Sequence, residues 1–289
     1  MKIFRKSLAV VLALVIALMS FGMLSSAFYL DPSTETAGRK NMLVLGDSIA
    51  QGYGIKNPSE ASYAKIVADT NGYNYRNFAA SAHDTADFLY EITQINSIVE
   101  SIRWADIINI STGSNNYLAN PNVVGITIGA IFGVNNKQLD EIADGIYADY
   151  LKIYDIIREL NPDATIVFNN VYCAWKGLGH IPFIKASGRV NEKIYQLQKE
   201  HDDIVIFDID SVISHKTELI ADDCVHPNAN GNIEIAKAML AFFKDKGLGE
   251  KTDPVLLSEG INYNFYIESF GEVGGRIIGF IVKVLTLNF

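Results

Sequence analysis

The sequence predicts an α/β fold of three layers, in which a five-stranded parallel sheet is covered by helices on both faces. Three observations predict it. Short runs of consecutive apolar residues recur along the chain, segments of helical period separate them, and two of the runs break into Gly-punctuated polar stretches at Gly46 and Gly113. Unbroken apolar runs of strand length mark strands buried on both faces, and their alternation with helices marks parallel crossover units.

The first strand is expected over residues 41–46, where the apolar run from Met42 to Leu45 ends in Gly46, Asp47 and Ser48. A helical period over 61–70 leads to the second strand at 73–79. One long helix is expected over 85–102, followed by a third strand at 105–111. A helix over 139–160 precedes the fourth strand at 164–170, and another over 184–200 precedes the fifth at 204–210. The last helix of the domain spans 228–246, with Ile233, Ile235, Ala236, Met239 and Leu240 on one face. Right-handed crossovers then favour the flavodoxin-like strand order 2-1-3-4-5, with loops for chemistry at the carboxyl edge.

Two segments stand outside this scheme. Residues 121–134, apolar and glycine-rich, read either as a buried packing helix or as a flap lining an apolar pocket. The tail from Lys251 ends in GRIIGFIVKVLTLNF, too short to span a bilayer and interrupted by Lys283. It is expected to pack on the domain or add a strand, with interfacial membrane contact as the alternative.

At the N-terminus, Lys2, Arg5 and Lys6 precede an apolar run from Leu8 to Met19 and the small residues Ser25, Ser26 and Ala27. This is the pattern of a secretory signal peptide over 1–27, an uncleaved anchor being the alternative. A linker over 28–40, the α/β domain over 41–247 and an apolar extension over 248–289 complete the division. The expected location is secreted or extracellular, with association at the cell surface as the variant of that reading.

The chain carries 24 Lys and Arg against 33 Asp and Glu, a net charge of −9, and loss of the leader's three cations leaves −12. No basic run is present to follow a phosphate backbone, so nucleic acid is not an expected partner. The only two cysteines are Cys173 and Cys224. In an exported protein they could bridge neighbouring loops, or remain two buried thiols; the count alone leaves both open.

Three separate stretches carry chemistry. NMLVLGDSIAQGYG aims Ser48 out of a strand end, INISTGSNNYL places Asn115 after the third strand, and DDCVHPNANG places Asp223 three positions before His226. A hydroxyl, an imidazole and a carboxylate are the parts that nucleophilic acyl transfer needs: nucleophile, base and the group that orients the base. Pro227 biases His226 toward an extended backbone and opens the next helix. Each motif alone also reads as ordinary turn or capping chemistry. Asp223 and His226 supply too few ligands for a metal-dependent hydrolase, and no metal or cofactor is expected.

Order and context of these residues resemble the SGNH hydrolases, the GDSL esterase and lipase family, over residues 41 to about 246. The resemblance implies the SGNH hydrolase fold and a Ser48, Asp223 and His226 triad. It also implies an oxyanion hole formed by the backbone N–H groups of Ser48 and Ala82 and the side-chain amide of Asn115. Its second motif matches NFAASAHDTADF, with Asn77 ordering the loop and Ala82 standing where the family has glycine, a departure tolerable only where alanine can adopt the local φ. Asp47 is expected to order its own turn, and Asp222 to be a decoy for Asp223. Asn116 reads as a loop amide, His83 and Asp84 as rim residues, His180 as a loop histidine, and His201 and His215 have no partner pattern. The activity implied is hydrolysis of acyl or acetyl esters of a carbohydrate or lipid, the substrate being a small molecule or a polysaccharide ester. Ala82 and the apolar tail motivate the competing class, a non-catalytic binding or surface-interaction module on the same fold.

Overall fold

The computed structural model describes residues 29–30, 35–134, 136–175, 180–258, 266 and 271–286. The leader over 1–27 lies outside the described residues. The sheet runs β1 (Tyr29–Leu30), β3 (Asn74–Asn77), β2 (Asn41–Gly46), β4 (Ile107–Ser111), β5 (Thr165–Asn169) and β6 (Ile204–Phe207). The five strands from β2 to β6 are parallel and follow the expected 2-1-3-4-5 order. A sixth strand, β1, falls within the segment read as linker and pairs antiparallel with β3 at the sheet edge.

Helices follow as α1 (Ser48–Gln51), α2 (Pro58–Ala61), α3 (Tyr63–Asn71), α4 (Thr85–Gln94), α5 (Asn96–Trp104) and α6 (Asn115–Leu118). The remainder are α7 (Val123–Phe132), α8 (Asn136–Leu160), α9 (His180–Glu200), α10 (Ile209–Ile213), α11 (Ala229–Asp245) and α12 (Gly271–Thr286). The helix expected over 85–102 is two helices. Ile95 takes an extended backbone (φ −98°, ψ 104°), closes α4 through its N–H to Glu91 O and opens α5 by accepting from Val99 N–H. A period of 3.6 continues through such a break, so periodicity could not reveal it.

Side chains alternate across each strand and divide the core. Met42, Val44, Ile107 and Val167 face α3 and α11, meeting Ile66, Val67, Ile235 and Met239. Leu43, Leu45, Ile108, Ile110 and Phe168 face the other layer, where Phe88, Ile102, Tyr150, Ile153 and Ile194 of α4, α5, α8 and α9 cover them. The apolar segment 121–134 forms α7, with Ile126 and Ala130 buried in this second layer and Lys185 Nζ of α9 donating to Ala130 O at 2.8 Å. It is a packed helix.

The polar group in the middle of the sheet is fully paired. Tyr63 Oη donates to Asn109 Oδ1 (3.0 Å), Asn109 Nδ2 donates to Asn169 Oδ1 (2.8 Å), and Asn169 Nδ2 donates back to Tyr63 Oη (2.8 Å). This closed ring fixes α3 against β4 and β5. Tyr63→Phe opens the ring and leaves two buried amides short of a partner, which costs about 1–3 kcal/mol of stability, read from urea unfolding.

Candidate active site

Strand β2 ends where it approaches β4 too closely for any side chain. A β-carbon on Gly46 would lie 1.9 Å from Ser111 O, and the residue sits at φ +129°. Asp47 N–H donates to Ser111 O at 2.8 Å, so the chain leaves the sheet in fixed register and turns directly into α1. The Asp47 carboxylate caps that helix by accepting from Ile49 N–H (3.0 Å) and also accepts from Ser111 Oγ (3.2 Å). This is the turn-ordering role read from the sequence. Burial pushes its carboxyl up to about 6, while the Ile49 N–H bond and the nearby His226 oppose the shift.

Ser48, first in α1, points its hydroxyl at the loop after β6. There His226 Nε2 lies 2.7 Å from Ser48 Oγ, and His226 Nδ1 lies 2.5 Å from Asp223 Oδ2. All three residues are buried. Asp223 folds back on its own neighbours: Oδ1 accepts from Val225 N–H (3.0 Å) and His226 N–H (3.1 Å), leaving Oδ2 for the imidazole. The loop closes on itself, with Ala221 N–H bonded to His226 O, Asn228 N–H to Leu219 O, and Asn228 capping α11. Tyr172 Oη, on the loop after β5, donates to Val225 O at 2.5 Å and pins it. Asp222 takes no part in this line and is paired instead with Lys283.

The second motif lies beside α1. Asn77 accepts Ala79 N–H at 2.8 Å and donates to Ala50 O at 3.0 Å, while Ser81 Oγ is hydrogen-bonded to Gln51 Oε1. Ala82 adopts φ +68°, the left-handed region, where a β-carbon is strained by about 1–2 kcal/mol. Its N–H has no hydrogen-bond acceptor among the described residues. Asn115, at the start of α6, gives one N–H of its amide to His83 O (2.9 Å), which ties the second and third motifs together. Asn116 does more than a loop amide: Oδ1 accepts Thr85 N–H and Nδ2 donates to Thr85 Oγ1, whose hydroxyl donates to Asp149.

Three further residues at the site have roles that the sequence did not show. The Tyr53 ring stands 4.8 Å from the His226 ring, walling one side of the imidazole. Cys224 takes φ +64° inside the loop. Glu91, only 4% exposed, sets its Oε1 2.8 Å from His83 Nδ1. His83 is therefore tied to a buried carboxylate while its carbonyl holds Asn115, a tighter role than a rim position suggests. Capping of α4 falls to Asp84, which accepts Ala86 and Asp87 N–H.

The remaining histidines lie elsewhere. His180 and His215 pack ring to ring near Cys173, and His201 stacks on Tyr154. Both cysteines are free thiols, Cys173 3.8 Å from His180 Nδ1 and Cys224 on Asp222 O. Among the described residues no group of three His, Cys, Asp or Glu side chains could hold a metal ion.

A doubly wound parallel sheet whose carboxyl edge gathers a serine, a histidine and an aspartate in one hydrogen-bonded line has the parts of a hydrolase of the three-layer α/β class. The profile of the GDSL-like Lipase/Acylhydrolase family matches residues 44–232, and the chain belongs to that family. It is an ester-hydrolysing enzyme. A search of curated protein sequences finds no match. Among solved structures, the lipase Lip_vut3 from a goat rumen metagenome superposes with a TM-score of 0.58 at 18% identity, over 73% of this chain and 99% of that one. An extracellular lipase from Streptomyces rimosus gives 0.54 at 18% identity, over 71% and 99%. Phospholipase A1 from Streptomyces albidoflavus NA297 gives 0.51 at 16% identity, over 72% and 100%. At these identities the likeness is one of fold.

Ala82→Gly removes the β-carbon from a left-handed backbone. The variant gains about 0.5–1 kcal/mol in urea unfolding, the relief of strain being partly offset by the greater freedom of glycine when unfolded.

The His83 imidazole is raised above its ordinary value, chiefly by the Glu91 hydrogen bond and further by the Glu91, Asp87 and Asp84 charges, with burial opposing. A raised histidine contributes stability that is complete below its unfolded pKa, about 6.5, and fades as pH rises through the folded value. The stability gap between wild type and His83→Gln is therefore widest below pH 6 or so and narrows above neutrality, measured by urea unfolding across that range.

Proposed function

We propose that the protein is a secreted serine esterase that cleaves acyl or acetyl esters of a carbohydrate or lipid. In this reading Ser48 is the nucleophile, His226 the base and Asp223 the carboxylate that orients it. The observation that carries the reading is the continuous line from Ser48 Oγ through both nitrogens of His226 to Asp223, with spacings of 2.7 and 2.5 Å.

Ser48 Oγ attacks the acyl carbon as its proton passes to His226 Nε2. The imidazolium so formed faces Asp223 at Nδ1, and the buried Asp47 carboxyl adds a second attractive field. Negative charge gathers on the former carbonyl oxygen, where the N–H groups of Ser48 and Ala82 and the free N–H of the Asn115 amide are its donors. Collapse of the tetrahedral intermediate expels the alcohol, which takes the proton from Nε2. Water then attacks the acyl-enzyme with His226 again as base, and the acid leaves with Ser48 restored. Export is supported by the charged, apolar and small-residue pattern of residues 1–27.

Purified wild type hydrolyses p-nitrophenyl acetate and is labelled by a fluorophosphonate, and Ser48→Ala loses both signals. Asn115→Ala lowers kcat on the order of a hundredfold. Labelling that persists in Ser48→Ala removes Ser48 as nucleophile, and a loss under threefold in Asn115→Ala removes that amide from the oxyanion hole.

A further inference from the structure

The C-terminal helix α12 is turned with its apolar side outward. Val273, Ile277, Phe280, Ile281 and Val284 recur at the spacing of one helix face, and all five are exposed, Val273 by 69% and Phe280 by 64%. On the side that meets the protein, the described residues include two glycines and a lysine. Gly275 and Gly279 are buried, a β-carbon on Gly279 would lie 2.1 Å from Asp222 Cβ, and Lys283 is paired with Asp222. Five apolar side chains left outside on one stripe make a patch that a single folded domain rarely shows to water. Of the two forms expected for the tail, packing on the domain or an added strand, the structure shows a packed helix, and Gly279 lets its backbone approach that of Asp222.

Asp222 directly precedes Asp223, so the helix rests on the loop that carries the imidazole. Just upstream, Tyr266 N–H donates to Gly54 O in the loop that follows Ser48 and α1. The tail therefore touches both sides of the site. Other exposed apolar residues share this edge of the sheet: Phe132 and Val134 just before α8, and Ile181 and Ile184 at the start of α9. Topology puts all of them at the carboxyl ends of the strands, level with Ser48.

We infer that the outward face of α12 docks the enzyme on a lipid–water interface, laying the site against ester substrate held in that surface. This rests on the esterase reading above and deepens it toward lipid esters. No helix among the described residues is long and apolar enough to cross a membrane, so the contact is one of a helix lying in the plane of the surface. A net charge of −9 makes apolar contact, not attraction to anionic headgroups, the force available, and a zwitterionic surface the one that fits. A second copy of the chain is the poorer occupant. A helix of 16 residues is about 24 Å long and about 10 Å wide, so two such faces bury roughly 500 Å² together, well short of the ~1,200 Å² of a stable interface.

Flotation of full-length Ser48→Ala protein with phosphatidylcholine vesicles reads binding without turnover. The unaltered stripe floats, and adding Ile277→Glu with Phe280→Glu lowers the partition coefficient at least about tenfold. Should that variant melt early, the separate Ile277→Ser and Phe280→Ser proteins carry the same comparison with a smaller loss. Equal flotation with and without the substitutions overturns the proposal and points to the apolar N-terminal run. Absence of flotation overturns it too, and so does a dimer in sedimentation that the substitutions dissolve. None of these outcomes touches the esterase reading, which the fluorophosphonate experiment tests by itself.

Discussion

Gly46 has no side chain, and the Ser111 carbonyl oxygen fills the place where one would begin. The contact lets β2 and β4 stay in register to their last residues, Gly46 beside Ser111, and then sends the chain out of the sheet at once. Asp47 bonds back to Ser111 by backbone and side chain, and its other duty is to cap α1. Ser48 thus inherits its position from a strand pair buried on both faces. Were the turn one residue longer, the hydroxyl would leave the line of the imidazole, because nothing in a loop restores a register that the sheet has lost.

The same economy governs the charges. Two carboxylates, Asp47 and Asp223, lie buried within reach of one imidazole, and each is tied by N–H donors of its own loop. Backbone donors hold a buried carboxylate in place without adding a cation that would compete for His226. Lys283 pairs with Asp222, the acid next to Asp223, and among the described residues no ion pair joins a lysine or arginine to Asp223 itself. Glu91 beneath His83 repeats the arrangement on the other flank, a buried acid whose partner is part of the segment it steadies.

Much of the fold was legible because its signals are local. Five apolar runs and their order with the helices define the parallel sheet without any knowledge of contacts; GDS and SNN follow the first and third of those runs, and DDCVH precedes the last helix of the domain. What escaped the sequence is what only tertiary contact decides. Tyr29–Leu30 is too short to show a pattern, and it is a strand only because β3 offers an unpaired edge. Ile95 is apolar in phase with its helix yet breaks it. Glu91 falls by period with Phe88 and Ile92 on the buried face, where a carboxylate finds its partner only because His83 arrives from the preceding loop. The tail's apolar residues did not show whether it packs as a helix or adds a strand, and Gly279 acquires meaning only with Asp222 beneath it.

Of the three residues other than glycine with positive φ among the described residues, two, Ala82 and Cys224, lie in the loops beside Ser48 and His226. Strain of this kind persists only where the surroundings over-determine the backbone, and both places meet that condition. Around Ala82 the chain is held by Asn77 on one side and by Asn115 gripping His83 O on the other, so the peptide cannot rotate to relieve its β-carbon. Around Cys224 the Asp223 carboxylate grips two successive N–H groups and Tyr172 grips the next carbonyl. The Cys224 turn brings His226 back over Asp223, and the Ala82 turn leaves an N–H with no acceptor among the described residues. The distortion belongs to the site's geometry, and the rigid sheet with its closed Tyr63, Asn109 and Asn169 ring supplies the stability that lets the protein keep it.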